Sequence, residues 1–480
     1  MGKIILMNIK EIVKELYKLK NNMPDLIIRE INLSIRNKIY ILAIQTLTSE
    51  DKINDFILKY FSNKDLFRNK TNIKKSIKEF IPAINYHEIN NYDEILSYLF
   101  NGFTVILSNK FNASFETKAL IDRAVSESSS EPSVRGPKDS FNENYQTNIG
   151  LIRRRIKDKN LFLREITLGE KSKTKIGIMY MNGIVSNDLL KEVYEKINNI
   201  NIEYVLDSYT IKELIKKENK TLFPTIASKE KPDEISVALL NGKIAIIVEN
   251  SPNVLLIPTL FIDSFKNSED YYEKSFYASF IRIIRLFAFF LSIFLPGFYL
   301  ALITIDQQVL SSDLFINFAS QSVAVPFPSV IEAILLTITF EILYEGDSRT
   351  PTSRGASVSI LGALILGDAA VNAGLVSPIM VIIISISSIC SLLFIFVDFQ
   401  GSIRFWRYLC MILSSIFGLI GFIVTFSLLL INLCSIKSFG IPYLTPYIPF
   451  YKKEALKDGI IRIESSSSKI DKNYLIRSKR

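Results

Sequence analysis

Two glutamates, Glu332 and Glu341, lie inside the apolar stretch "VAVPFPSVIEAILLTITFEILY" (Val323 to Tyr344). An ionised side chain at the centre of a bilayer costs about 3 kcal/mol or more, so such residues meet water, a counter-charge or a neighbouring helix. A helix advances about 100° per residue, which sets the two carboxylates on opposite faces, so they do not both line one pore. One face carries Ser329, Glu332, Leu336 and Thr339; the other carries Thr337, Glu341 and Glu345. One face is assigned to a water-filled path and the other to a neighbouring helix, with Arg349 or Arg354 as the counter-charge. The alternative is that both carboxylates are paired and hold helices together. Asp368 and Asn372 follow on adjacent turns just before Gly374 and Pro378, where the helix should break. An ionisable group at a broken intramembrane helix suits an ion path, and a satisfied polar cap fits the same residues. Glu332, Glu341, Asp368 and Asn372 are therefore the ion-path candidates. Gly355, Ser359, Ala363 and Gly367 repeat every four residues and form a small-residue ridge on which helices approach closely.

Other chemistries are excluded or unsupported. The chain has no Gly-rich phosphate loop, no nucleophile elbow and no metal-spaced cluster, so no enzyme, cofactor or metal is expected. Cys390, Cys410 and Cys434 all lie in or beside apolar runs, which rules out a disulfide framework or zinc site in the first half. His87 is the one histidine and reads as a surface residue. The net charge of +9 is spread along the chain and fits the positive-inside rule better than nucleic acid.

These residues need a membrane unit to position them. "IIRLFAFFLSIFLPGFYLALIT" (Ile283 to Thr304) supplies the roughly 20 apolar residues that span about 30 Å of hydrocarbon. Arg282 and Arg285 mark its cytoplasmic end, and the loop Ile305 to Ser322, without Lys or Arg, is expected outside. Gly355 to Val397 is too long for one straight crossing. Cys410 to Cys434 reads as the last span, with Trp406 as an interfacial anchor and a basic tail inside. An even number of crossings satisfies both ends. It puts Arg404 and Arg407 outside if Gly355 to Val397 crosses once; if that segment is a hairpin, the last apolar run must be one too.

The first half reads as a soluble head that stays in the cytoplasm, since the N-terminus lacks a signal-peptide pattern. The fold class expected is an α/β soluble head of two subdomains followed by an α-helical multi-pass membrane domain. Its divisions are a subdomain over 1–115, a linker over 116–140, a second α/β subdomain over 141–275, membrane segments over 280–435, four or five in number, and a cytoplasmic tail over 436–480. The first hundred residues read as helical, followed by a strand at Gly102 to Ser108. A helix with a Ser140–Glu143 capping box carries the stripe Phe141, Tyr145, Ile149, Ile152 and Ile156, with Arg153, Arg154 and Arg155 mostly off it. Strands at Lys175 to Met181 and Ile202 to Asp207 alternate with helices at Asp188 to Ile197 and Thr210 to Lys217, which suggests partly parallel pairing. Asn241-Gly242 between apolar runs predicts a hairpin with a type I′ turn.

Five segments occur in order: "SSSEPSVRGPKDSFNENYQTNIGLIRRRI", "LFPTIASKEKPD", "VPFPSVIEAILLTITFEIL", "SILGALILGDAAVNAGLVSPIMVI" and "SFGIPYLTPYIPF". Together they resemble the A subunit of the GerA-type spore germinant receptors, over roughly residues 90–455. Glu131, Pro132, Arg135, Gly136 and Pro137 carry the motif in the head. The stretch "EGDSRTPTSR" departs from the family's pattern of an Arg-Leu-Pro stretch running into a Gly-Gln pair. The resemblance implies a multi-pass protein of the spore inner membrane, with its head on the spore-core side. It implies a transporter-like B subunit that senses the nutrient, a lipoprotein C subunit, contact with membrane lipids, and a homo-oligomeric ring, a pentamer, that conducts monovalent cations. A non-conducting scaffold or signal relay, and the sporulation paralogue of the A subunit, share the same motifs.

Overall fold

The computed structural model describes residues 9–34, 37–62, 86–108, 111–119, 135–216, 221–323, 325–349, 367–394, 396–449 and 458–462. The chain divides into two compact units: one holds most of the chain up to Pro258, and the other holds 220–225 and 259–474.

The first unit is built on two five-stranded sheets, with every pairing between described strands antiparallel. Helix α1 (Ile9–Lys20) buries Ile12, Val13 and Leu16 and carries Lys18 and Lys20 in its last turn, where cations suit the helix dipole. The next elements are strands, β1 (Leu26–Ser34) and β2 (Asn37–Ile44), not the expected helices. Their isoleucines, Ile27, Ile28, Ile31, Ile39, Ile41 and Ile44, are stiff at χ1 and favour a pleated surface. Strands β3 (Tyr86–Glu88), β4 (Phe103–Ser108) and β5 (Phe111–Glu116) complete the order β1-β2-β4-β5-β3. Helix α2 (Tyr92–Phe100) is capped by Asn91, whose side chain accepts the Glu94 amide at 2.8 Å. Leu16, Met23, Leu42, Leu99, Val105 and Leu107 share the core beneath this sheet.

The second sheet joins β6 (Leu161–Leu168), β7 (Thr174–Met181), β8 (Ala227–Lys229), β9 (Ile244–Val248) and β10 (Val254–Ile257) in the order β6-β7-β9-β10-β8. Helices α3 (Tyr145–Arg155), α4 (Asn187–Asn198), α5 (Ser208–Lys216) and α6 (Pro232–Leu240) accompany it. Partly parallel pairing is thus corrected, and so are three local readings. Helix α3 starts at an Asn144 cap, whose side chain accepts the Thr147 amide at 3.0 Å, while Ser140 is buried. Residues 202–207 form no strand, because their backbone is spent on the β6–β7 turn, through Glu170 N to Ile202 O at 3.1 Å and Lys171 N to Glu203 O at 2.8 Å. Asn241-Gly242 ends α6 rather than turning a hairpin: Gly242 takes φ +87 and donates to Leu239 O. Pro232 in the first turn with Asp233 and Glu234 was the overlooked helix-start signal.

Arg153 is fully buried, not off the stripe. Its Nε and Nη2 reach Asp25 at 2.6 and 2.8 Å, and its Nη1 donates to Leu161 O at 3.3 Å. Asp25 precedes β1 and Leu161 opens β6, so this ion pair ties the two sheets together.

The second unit contains α7 (Ser275–Thr304), α8 (Ser312–Val323), α9 (Ser329–Arg349), α10 (Pro378–Leu392) and α11 (Val397–Ser435). Helix α8 occupies what the sequence reads as loop. Among described residues, α7 and α11 are long and apolar enough to cross a membrane. As one rod, the 39 residues of α11 would reach about 58 Å, twice a bilayer core. The helix instead reverses at Gly418, whose φ of +63 and ψ of −142 leave the helical region. Its first half runs parallel to α7: Phe399 stacks on Phe289 at 5.5 Å, Cys410 meets Gly297, and Asp306 meets Leu419. Its second half runs back, with Phe422 against Phe298 at 5.5 Å and Phe426 against Phe294 at 5.5 Å and Phe290 at 6.5 Å. Gly421 is needed at the bend because a Cβ there would strike Leu413 O. The expected single span Cys410 to Cys434 is therefore two limbs, and Trp406 is a buried core residue instead of an interfacial anchor.

Candidate functional site

Glu332 opens α9 and is 1% exposed. Its Oε1 accepts the Ser377 amide at 2.5 Å and the Ser377 hydroxyl at 2.7 Å. Ser377 is also the N-cap of α10, accepting the Met380 amide at 3.4 Å, with Pro378 at the first helical position. A carboxylate at this terminus satisfies orphan amides and complements the dipole. The structure thus gives Glu332 a helix-joining role.

Glu341, about two and a half turns on, pairs with Arg404 at 2.9 Å, a partner the sequence reading did not name. Arg354 lies outside the described residues. Tyr344 lies under the Arg404 guanidinium at 5.2 Å and donates to Gln400 at 3.1 Å, while Gln400 Nε2 donates to Phe394 O at 2.6 Å. Helices α9 and α10 therefore start together at Glu332–Ser377 and end together near Gln400, so they run parallel.

Asp368 and Asn372 lie among the helical residues 367–372, and both are exposed. The expected break follows them, with Gly374 at φ +65 before the Ser377 cap. Ala369 and Ala373 are exposed beside them. Glu332, Glu341 and Asp368 are thus not brought together within one chain. Of the ridge, Gly367 is described and Gly355, Ser359 and Ala363 lie outside the described residues. In the head motif, Glu131 and Pro132 lie outside them too, while Arg135 and Gly136 are exposed and Pro137 half-buried.

Sequence reasoning missed two groups. Arg407, one helical turn beyond Arg404, is 1% exposed; its Nη1 donates to Ser388 Oγ at 3.4 Å, and its Nε and Nη2 have no acceptor among the described residues. The signal was present as the conflict over which side Arg404 and Arg407 occupy. The second group lies at the base of α7. Arg282 Nε meets Asp270 at 2.8 Å, and its Nη1 meets Asp458 at 3.0 Å and Gly459 O at 2.8 Å. Arg285 donates to Asp270 at 2.9 Å, and Lys266 reaches Asp458 at 3.3 Å. Arg462 holds the backbone carbonyls of Asp270, Glu273 and Tyr271. Tyr271 donates to Asp458 at 2.8 Å, and burial, then the Asp458 charge, pushes its hydroxyl well above the usual tyrosine range. These contacts clamp residues 458–462 to the start of the helical unit. No group of three or more metal-ligating side chains occurs among the described residues.

Comparison with known proteins matches the pattern of these segments. The profile of the Bacillus/Clostridium GerA spore germination protein family matches residues 12–473. Spore germination protein KA of Bacillus subtilis (strain 168) is 35% identical over 460 residues, 95% of this chain and 84% of that protein. Spore germination protein A1 of the same organism is 32% identical over 448 residues, 93% of this chain and 92% of that protein. A Bacillus subtilis relative named as the uncharacterized membrane protein YfkQ is 31% identical over 466 residues, 95% of this chain and 89% of that protein. Among solved structures, the N-terminal domain of the A subunit of the Bacillus megaterium spore germinant receptor GerK3 aligns with 26% identity and a TM-score of 0.41, covering 52% of this chain and 95% of that one. The chain belongs to the GerA spore germination protein family.

Proposed function

We propose that this chain is the A subunit of a nutrient germinant receptor in the inner membrane of a bacterial spore. In this reading copies assemble as a ring, five by resemblance, around a cation pore, with a transporter-like B subunit sensing the nutrient and a lipoprotein C subunit completing the complex. The observation that carries it is the exposed face Asp368, Ala369, Asn372 and Ala373, which sets a carboxylate and an amide among small residues just before α10. A carboxylate and an amide among small residues are poor lipid neighbours and suit water or a second copy. A ring would focus the Asp368 carboxylates on one axis, where they attract cations.

The chain path supports a multi-pass membrane unit with both ends on the spore-core side. The reversal at Gly418 makes the last helix two passes, so it ends on the side where it begins. Its first limb runs parallel to α7, which keeps Arg404 and Arg407 on the same side as Arg282 and Arg285, the basic, inner side. The roles of Glu332 and Glu341 as helix ties favour Asp368 and Asn372 as the pore residues, and they leave a non-conducting relay as the competing reading.

The test is current through the purified A–B–C complex in planar bilayers, with and without nutrient. Nutrient-gated cation current whose conductance changes in Asp368→Asn, at unchanged membrane expression, is expected. A silent bilayer holding a complex that still binds nutrient would favour the relay.

A further inference from the structure

A cavity of about 740 Å³ lies between α9 and α10, with Gly367 and Ala370 in its wall and Arg404 of α11 at one end. Because α9 and α10 run parallel, its two ends differ in chemistry. Near their starts the walls are Phe327, Leu335, Leu375, Val376 and Val381. Toward their ends Glu341, Arg404, Ser385, Ser388 and Ser391 face it. From Val381 to Ser391 α10 rises about 15 Å. The space is thus an apolar slot leading to a cluster of hydroxyls and a guanidinium.

Glu341 answers Arg404, and Arg407 lies behind Ser388 with two donors lacking acceptors among the described residues. A buried guanidinium in apolar surroundings is costly without an anion. Ser388 both lines the cavity and touches Arg407, so an anion hydrogen-bonded there would supply the missing charge.

We propose that this cavity binds one anionic phospholipid, with its phosphate at Ser388, Ser391 and Arg404 and its acyl chain along the apolar walls. The site lies at the inner leaflet, and the inference rests on the reading of this unit as membrane-embedded.

The full chain is reconstituted in nanodiscs of phosphatidylcholine with or without phosphatidylglycerol, and retained lipid is measured after exchange into neutral detergent. The wild type is expected to keep phosphatidylglycerol and to melt at a higher temperature with it. Arg404→Gln, and separately Ser385→Trp, which fills the slot and leaves every charge in place, are expected to lower retention about tenfold. Equal retention in folded wild type and Ser385→Trp overturns the site, as does protection by inorganic phosphate in phosphatidylcholine alone. Cross-linking of Ile389→Cys between copies in membranes would assign the cavity to a second copy and overturn it equally. A wild type that does not partition into membranes sinks the membrane reading instead, and carbonate extraction distinguishes that result.

Discussion

Asp306, just past the end of α7, accepts the backbone amide of Leu419 at 2.6 Å, the first residue after the Gly418 reversal. The carboxylate satisfies one of the orphan amides that open the returning limb and fixes where the chain turns. Removing it leaves a part-buried donor unpaired, at about 1–3 kcal/mol. Asp306→Ala should lower the detergent melting temperature, and Asp306→Asn, which keeps an acceptor, should recover most of the loss.

The same reversal predicts sidedness. Single cysteines at Val397 and Lys437 in a Cys-free background should label from the side that carries the head, and one at Leu419 from the opposite side. Labelling of 397 and 437 from opposite sides would restore a single straight span.

Glu332 and Ser377 give a second stability test. Glu332→Gln can still accept both donors and should be mild. Glu332→Leu strands the Ser377 amide and hydroxyl and should cost about 1–3 kcal/mol, seen as a lower melting temperature.

In the head, Arg153→Met leaves Asp25 buried and charged, which costs about 3–5 kcal/mol in such pairs. Adding Asp25→Leu removes the stranded charge, so the double variant should be more stable than the single one. Denaturant unfolding of the head followed by circular dichroism provides the measurement.

Tyr145 predicts an alkaline limit. Burial, together with the Glu165 carboxylate that accepts its hydroxyl at 3.1 Å, raises its ionisation above the usual tyrosine range. The folded chain holds this proton more tightly than the unfolded one. Its contribution is complete below about pH 10 and falls as pH rises from there toward the folded value. Tyr145→Phe should flatten that loss.

Residue patterns that depend on near neighbours were legible. The α3 stripe, the break before Pro378 and the strand at β4 follow from spacing, turn chemistry and length. Readings that depend on distant partners were not. Asn241-Gly242 ends a helix as readily as it turns a hairpin, and the choice lay in Pro232 and the acidic first turn. Nothing near Arg153 in sequence names Asp25, and nothing near Glu341 names Arg404. The direction of the last apolar run turned on Gly418, a single residue whose positive φ leaves no trace in hydropathy. The ion-path candidates were found as residue types, while their division into two helix ties and one outward polar face needed the packing.

The clamp between Asp458, Arg462 and the base of α7 closes the helical unit into a circuit, in which the chain returns to the ion cluster where it entered. Its ends are near neighbours, so a circularly permuted chain that joins them and opens elsewhere is geometrically permitted. The clamp is also a fastening through which a pull on the chain beyond Arg462 would reach the start of α7.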